Sequence, residues 1–260
     1  LSRDLATIRD DAPVEVSLDE LALVWPPDED RARDLFTELE FRGLLREFGG
    51  EMTSIDRSKY RLVTSDAELE ELVAFLEGVP RFALDTETTS LDSMRAELVG
   101  LSFCADDDVA WYAPVAHAVL EPQLDWETVK RALEGILTDP SKGKTGQNLK
   151  YDLEVLANHG VALEGIDGDT LLADYLLNPD RRSHKLDDLA LVYLNHKMIS
   201  FDEAVGKGKT FDSVPLDAAR DYAAEDAHVT WLLDGKLHQR LEEEELDALY
   251  RELELPLMPV

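Results

Sequence analysis

The sequence predicts an α/β protein in which helices flank a mixed β-sheet, preceded by a small helical appendage at the N-terminus. Segments with strand-like alternation lie between residues 81 and 116, and helical apolar stripes with one short strand among them follow as far as residue 247. Residues 1–59 carry a separate helical stripe. Strands followed by helices and a further strand are typical of a mixed sheet covered by helices.

The appendage is predicted from one amphipathic stretch, residues 28–48. Its apolar residues recur at helical spacing: Leu35, Phe36, Leu39, Phe41, Leu44, Leu45 and Phe48. Pro26-Pro27 breaks the chain before it and Gly49-Gly50 ends it. The polar residues 51–59 are interpreted as a linker. We therefore expect residues 1–59 to stand outside the main domain.

The main domain is expected to begin with a capped helix and a three-stranded unit. Ser65 and Glu68 have the spacing of a capping box for a helix that runs to Gly78. The strand RFALDTET (81–88) follows, and a short acidic turn joins LVGLSFCA (98–105) to VAWYAPVA (109–116) in an antiparallel hairpin. The remaining predicted elements are a strand at 144–146 and helices at 126–137, 148–158, 170–177, 185–194 and 216–247.

The charge of the chain is strongly acidic and uneven. Asp and Glu number 56 against 26 Lys and Arg, a net charge of −30. A general nucleic-acid binder is expected to be basic, so composition alone argues against one. Residues 142–209, however, hold nine basic and eleven acidic residues, which leaves −28 on the other 192. This near-neutral segment is suited to receive one end of a polyanion; the alternative is an acidic surface that only serves solubility.

Several classes of protein are excluded. The longest apolar runs are about five residues, too short to cross a membrane, and the N-terminus lacks the apolar stretch of a signal peptide. The single cysteine, Cys104, rules out an internal disulfide and a cysteine zinc cluster, and we expect it to be a small buried residue. These features predict an intracellular protein with no membrane contact.

Candidate catalytic residues start with Asp85 and Glu87. Side chains alternate along a strand, so these two carboxylates share one face of RFALDTET. Like charges this close repel unless a cation neutralises them. The alternative is an exposed strand face.

Two further carboxylates lie on predicted helical stripes. Asp152 falls among Leu149, Leu153 and Leu156, where it needs a partner, although a charge–dipole role near the helix start would also satisfy it. In the last long helix Tyr222 and Asp226 lie one turn apart on the apolar side, with Glu225 expected off it; such a pair also arises by chance.

Four inward carboxylates without basic residues on the same stripes predict bound divalent metal. Oxygen ligands suit Mg²⁺ or Mn²⁺. Two such ions can activate a water and stabilise the leaving oxygen of a phosphodiester. The hydroxyl of Tyr222 is placed to orient that water.

The segments FALDTETTSLD, LVGLSF, GQNLKYDLEVLANHG, GKGK and YAAEDAHVT resemble the 3′→5′ proofreading exonuclease region of the bacterial DNA polymerase I family (family A). The resemblance covers 60–240 and implies a ribonuclease H-like fold of the DEDDy subclass; Asp221 stands where the histidine subclass would need His. SRDLATI and LFTELEFRGLL are similar to the end of that family's 5′-nuclease region, and LELPLMPV, within 241–260, to the start of its polymerase domain.

The resemblance also implies roles for single residues. Asp85, Glu87 and Asp226 would hold one Mg²⁺, Asp85 with Asp152 through waters the second, and Tyr222 would position water. The residues expected to contact DNA are Leu91 and Phe201 beside the terminal base, Gln147 and Asn148 at the terminal nucleotides, and Arg182 at a phosphate. The charge distribution, independently of the resemblance, indicates the lysines and arginines that would steer the strand: Lys142, Lys144, Lys150, Arg181, Arg182, Lys185, Lys207 and Lys209.

The function expected from these features is magnesium-dependent removal of nucleotides from a single-stranded or frayed DNA 3′ end. The expected partners are that DNA end and the polymerase and 5′-nuclease domains of the same parent chain, in a cytoplasmic bacterial monomer. Two alternatives stay open: an RNA-trimming exonuclease of the same subclass, and a catalytically silent spacer domain.

Overall fold

The computed structural model describes residues 6–8, 28–39, 41, 43–44 and 53–259. The chain divides into two compact units, Leu1–Glu51 and Met52–Val260. In the first unit the helix with described bounds is α1 (Glu29–Glu38), and residues 43–44 are also helical. It covers only the first part of the predicted stripe, of which Leu45 and Phe48 lie outside the described residues.

The second unit is built on a six-stranded sheet. Its strands are β1 (Arg61–Leu62), β2 (Arg81–Thr88), β3 (Leu98–Cys104), β4 (Ala110–Pro114), β5 (Gly143–Gly146) and β6 (Ile166–Asp169). Their order is β1-β4-β3-β2-β5-β6. β3 is antiparallel to both β2 and β4, whereas β2–β5, β5–β6 and β1–β4 are parallel. The mixed sheet of the predicted α/β class is confirmed, as is the antiparallel hairpin.

Helices cover this sheet. They are α2 (Asp66–Glu77), α3 (Trp126–Leu137), α4 (Leu149–Asn158), α5 (Thr170–Leu177), α6 (Leu186–Leu194), α7 (Phe201–Ala204) and α8 (Leu216–Glu243), followed by the helical turns Asp247–Leu249, Tyr250–Glu254 and Leu255–Leu257. Ser65 and Glu68 form the predicted capping box of α2. Asp125 and Asp169 cap α3 and α5 through their side chains. None of the described helices is long and apolar enough to traverse a lipid bilayer.

Helix α8 ends four residues earlier than predicted. Its C-terminus has the hydrogen bonds of a Schellman motif, from Leu246 N to Leu241 O at 2.8 Å and from Glu245 N to Glu242 O at 3.2 Å. Glu245 takes the left-handed conformation at φ 59°. Four consecutive glutamates at a helix C-terminus are unfavourable beside the negative end of the helix dipole, which explains why the helix stops within them.

Two strands were not predicted from the sequence. β1 has only two residues, and β6 (Ile166–Asp169) is a short edge strand that reads Ile-Asp-Gly-Asp. Neither has the apolar alternation by which a strand is recognised. In β6 a Cβ at Gly168 would lie 2.4 Å from Thr145 Oγ1, so the close approach of β5 requires glycine there.

Candidate active site

The carboxylates of Asp85 and Glu87 project from one face of β2, which lies between β3 and β5 in the sheet. Asp85 is opposite Ser102 of β3 and Glu87 is opposite Gly100. Asp85 is half-buried and Glu87 is buried. The strand places both acids at the same surface because consecutive side chains alternate between faces.

Helix α8 brings Asp226 to the same place. One carboxylate oxygen from each of Asp85, Glu87 and Asp226 lies within 4.8 Å of the other two. The described lysines and arginines form no ion pair with these three acids. Glu87 Oε1 is buried and has no hydrogen-bond partner. An unpartnered buried carboxylate oxygen in a group of three acids fits a hard cation such as Mg²⁺.

The electrostatics of the three acids favour a bound cation. Burial raises the pKa of Asp85 to about 7. Burial, followed by the charges of Asp85 and Asp152, raises the pKa of Glu87. Burial, followed by the charges of Asp85 and Glu87, raises the pKa of Asp226. A divalent cation would offset this repulsion and keep the acids ionised at neutral pH.

Asp152 lies beside this group without being part of it. It is 3% exposed, near the start of α4. Its Oδ1 accepts hydrogen bonds from Thr86 N at 3.0 Å and from Thr86 Oγ1 at 2.5 Å. Burial and the charge of Asp85 raise the pKa of Asp152. The fourth acid is therefore tied to Thr86 of β2 and is close enough to Asp85 and Glu87 for their charges to interact.

Tyr222 is held by aromatic packing one turn before Asp226. Its ring centroid lies 5.5 Å from that of Phe211 and 6.3 Å from that of Phe201. Burial and the charge of Asp226 raise the pKa of Tyr222, so its hydroxyl stays protonated. A protonated phenol can donate to or accept from a water molecule.

These side chains open into a cleft of about 340 Å³. Its lining residues are Asp85, Thr86, Glu87, Thr88, Thr89, Ser90, Leu91, Tyr151, Phe201, Lys209, Thr210, Phe211, Tyr222 and Asp226. Leu91 is 99% exposed and Phe201 is 48% exposed. Exposed apolar side chains beside a group of acids are suited to stack on a base whose phosphate reaches those acids.

The other three residues expected to contact DNA do not line this cleft. Gln147 is engaged within the protein: its Nε2 donates to His184 O at 2.7 Å and its Oε1 accepts from Thr170 Oγ1. Asn148 is exposed, with φ 60°, just before α4. Arg182 is exposed in the loop between α5 and α6.

The cleft residues that sequence reasoning missed include Thr88, Tyr151 and Phe211. Tyr151 bonds Ser90 O and lies 2.5 Å from Thr88 Oγ1, so it ties α4 to the segment that carries Leu91. The signal available for Tyr151 was its position directly before Asp152. Phe211 lies in a short turn without a periodic pattern, so the sequence contains no comparable signal for it.

The expectation that Glu225 lies off the buried face is wrong. Glu225 is 0% exposed. Its Oε1 accepts from Arg57 Nη2 at 2.5 Å and faces His196 Nε2 at 2.8 Å, and its Oε2 accepts from Ile199 N at 2.7 Å. Arg57, His196 and Ile199, which lie outside α8, pack against this acid and bury it. The periodicity of the helix sequence contains no information about such distant residues. His228, on the same helix, is also buried, and its Nδ1 lies 3.1 Å from Tyr60 Oη.

Three of the expected steering residues are engaged elsewhere. Lys142 Nζ donates to the carbonyls of Leu76, Glu77 and Val79. Lys144 is fully buried, with Nζ 2.6 Å from Asp139 O. The side chain of Arg181 is 8% exposed and lies 3.4 Å from Asp174. These three cations therefore bind carbonyls and a buried acid inside the fold, and their part in steering DNA stays a prediction.

Comparison with known proteins identifies a family whose members this chain resembles. Residues 60–242 match the family described as 3'-5' exonuclease of A-type DNA polymerases. The chain is 40% identical over 281 residues to DNA polymerase I of Pseudomonas aeruginosa, with all of this chain and 30% of that protein covered. It is 32% identical over 303 residues to DNA polymerase I of Chloroflexus aurantiacus, with all of this chain and 32% of that protein covered.

Solved structures agree with the fold. Pol1 of M. smegmatis, in complex with DNA primer-template and dNTP, superposes with a TM-score of 0.59 at 25% identity over 76% of this chain and 30% of that chain. RNase D of Trypanosoma brucei gives a TM-score of 0.58 at 22% identity over 68% of this chain and 64% of that chain. The chain spans less than a third of the length of the polymerase relatives named above.

Proposed function

This chain belongs to the 3'-5' exonuclease family of A-type DNA polymerases, and from that premise we propose that it removes nucleotides one at a time from single-stranded or frayed DNA 3′ ends. The observation that carries the proposal is the group of Asp85, Glu87 and Asp226 at the floor of an open cleft. Water would attack the terminal phosphodiester, and the bond from phosphorus to the 3′-oxygen would break. The products are a nucleoside 5′-monophosphate and a strand shorter by one nucleotide.

Each residue has a distinct task in this proposal. Asp85, Glu87 and Asp226 would hold one divalent cation, and Asp85 with Asp152 a second. Two such ions, Mg²⁺ or Mn²⁺, supply Lewis-acid activation of water and stabilise charge on the scissile phosphate. The hydroxyl of Tyr222 orients the attacking water, and the packing of Phe211 and Phe201 restricts its ring. Leu91 and Phe201 hold the terminal base by apolar contact.

The same premise extends to the parent protein. We infer that residues 1–59 comprise the end of a 5′-nuclease region and a linker, that 60–240 form the exonuclease domain, and that 241–260 begin a polymerase domain. The parent is then a monomeric DNA polymerase in which this site edits misincorporated nucleotides. Gln147 and Asn148 remain proposed contacts for the terminal nucleotides, and Arg182 remains a proposed contact for a phosphate.

A 5′-labelled single strand incubated with Mg²⁺ tests the activity. We expect a ladder of products that shorten by one nucleotide and its complete loss in EDTA. An RNA strand of the same sequence, run in parallel, distinguishes DNA editing from the RNA-trimming alternative. Failure to bind Mn²⁺ in a titration, together with no ladder, would support the silent spacer instead.

A further inference from the structure

Lys209 is the one basic side chain among the described residues that line the cleft. The same cleft exposes the carboxylates of Asp85, Glu87 and Asp226, which repel the phosphates of an incoming strand unless cations offset them. Lys209 is exposed, and no ion pair engages its ammonium within the described part of the chain. Its charge is therefore available to a ligand in the cleft.

The loop that carries Lys209 can adapt at its tip but is fixed at its base. Gly206 and Gly208 have φ of 81° and 75°, and no atom lies within 4 Å of a Cβ built at either position. Below the tip Phe211 is buried against Tyr222. The loop is further held by a hydrogen bond of 2.7 Å from Ala118 N to Asp212 O. Movement about the glycines would carry Lys209 over the cleft while Phe211 keeps Tyr222 in place.

We propose that Lys209 binds a phosphate of the 3′-terminal segment and thereby sets how tightly the strand occupies the cleft. This inference rests on the proposed function, since it assigns a substrate contact in the same site. A lysine ammonium is a compact charge on a flexible stem, suited to a phosphate that moves by one nucleotide after each cleavage. Lys207, in the same loop, was also expected to steer the strand, but it does not line the cleft, and we therefore assign it no contact with the bound strand.

The difference between these two lysines gives the test. Lys209→Gln and Lys207→Gln each remove one positive charge from the same loop, and Lys209→Arg keeps it. Initial rates on a 5′-labelled single strand with Mg²⁺ are expected to show KM about three- to tenfold higher in Lys209→Gln, with kcat within about twofold. Lys209→Arg should restore KM, and Lys207→Gln should change it by less than about twofold.

Salt dependence and binding provide separate readouts. The slope of log affinity against log salt should be shallower by about 0.7 in Lys209→Gln, the value for one lost phosphate contact on a single strand. Binding is measured by fluorescence anisotropy of a labelled DNA single strand, in an Asp85→Ala background that does not cleave it. Equal KM and equal salt slopes in Lys209→Gln and Lys207→Gln would overturn the inference. If the wild type does not cleave DNA but its binding is still weakened by Lys209→Gln, the proposed activity is overturned and the phosphate contact of Lys209 is retained.

Discussion

At the scale of single residues, the candidate site depends on like charges held together. Asp85, Glu87 and Asp226 offer oxygens within 4.8 Å of one another, and burial raises the pKa of each acid. Such a group destabilises the metal-free fold and is expected to become favourable when a divalent cation binds. Catalysis and stability therefore place opposite demands on these side chains.

Asp85→Ala is expected to nearly abolish hydrolysis while the protein stays folded. The loss of one proposed metal ligand is expected to remove about 4 kcal/mol of transition-state stabilisation, roughly a thousandfold in rate. Because the change also relieves repulsion, the melting temperature in EDTA should not fall below that of the wild type. A variant that melts well below the wild type in EDTA would show that Asp85 supports the fold instead.

Tyr222→Phe should slow the reaction less than Asp226→Ala does. The substitution removes the hydroxyl that is proposed to orient water but leaves the three acids in place. The aromatic packing on Phe211 and Phe201 should persist. Single-turnover rates and a Mn²⁺ titration of both variants provide the comparison. Equal losses of rate, or weaker Mn²⁺ binding in Tyr222→Phe, would assign Tyr222 a larger role.

At the scale of elements, helix α8 connects the site to the rest of the domain through buried ion pairs. Glu225, next to Asp226, binds Arg57 from the segment before β1. Two turns farther on, Asp234 Oδ2 lies 2.5 Å from Arg81 Nη1 of β2. Buried acids of this kind strongly depend on their partners, because an unpaired buried charge is costly.

Arg57→Met is expected to lower the free energy of unfolding by about 2 kcal/mol, because it removes one charged partner of the buried Glu225 and leaves only His196 and the Ile199 N–H beside it. The value is below that of a fully buried pair, since the Arg57 side chain is 35% exposed. Lys59→Met is the matched control: Lys59 pairs with Asp108 at 2.8 Å on the surface. Urea unfolding should show no measurable change for Lys59→Met; equal midpoints in the two variants would contradict the assignment.

The ion pair between Asp234 and Arg81 can be tested by measuring how the stability of Asp234→Asn depends on pH. Burial alone would raise the pKa of Asp234, but hydrogen bonds from His238 and Arg81 outweigh it and hold the pKa at about 2. Because the pKa of Asp234 is lower in the folded protein than its ordinary value of 3.8, its carboxylate stabilises the fold at pH values above 3.8. This stabilisation is lost as the pH falls toward 2.

At pH 7, Asp234→Asn is expected to lower the free energy of unfolding by about 2 kcal/mol, the energy equivalent of the lowering of the Asp234 pKa on folding. The difference from wild type should narrow as pH falls from 4 to 2, as followed by urea unfolding at each pH. Asp167→Asn is the control, since Asp167 binds the same Arg81 from a more exposed position. A stability difference that does not vary with pH would exclude the ion pair as its cause.

At the scale of the whole molecule, the acidic surface predicts that the protein prefers single-stranded DNA ends to duplex DNA. The chain carries −28 outside residues 142–209, and structure removes Lys142, Lys144 and Arg181 from the surface available to DNA. Duplex phosphates should therefore be repelled, and only a free 3′ end should reach the acids.

A single strand or a mismatched terminus is expected to be degraded at least about tenfold faster than a paired blunt end. Opening a duplex costs on the order of 1.4 kcal/mol per base-pair step, and contacts with Leu91 and Phe201 recover part of it. The preference should grow with the GC content of the paired end. Initial rates on matched single-stranded, mismatched and paired substrates measure it. Equal rates on all three would favour a duplex-trimming nuclease.

The sequence by itself determined the α/β class, the capping box at Ser65 and the bounds of α3 and α5, because apolar periodicity and capping chemistry are local. It also indicated, through carboxylates on apolar faces, which acids to examine. Tertiary structure alone decided that an oxygen of Asp226 lies within 4.8 Å of the β2 acids, although 141 residues separate Asp226 from Asp85. It likewise decided that Glu225 and Lys144 are buried while Lys209 faces the cleft. The physical reason is that periodicity identifies the apolar face of an element, whereas the burial and partners of a charged side chain depend on what distant segments pack against it.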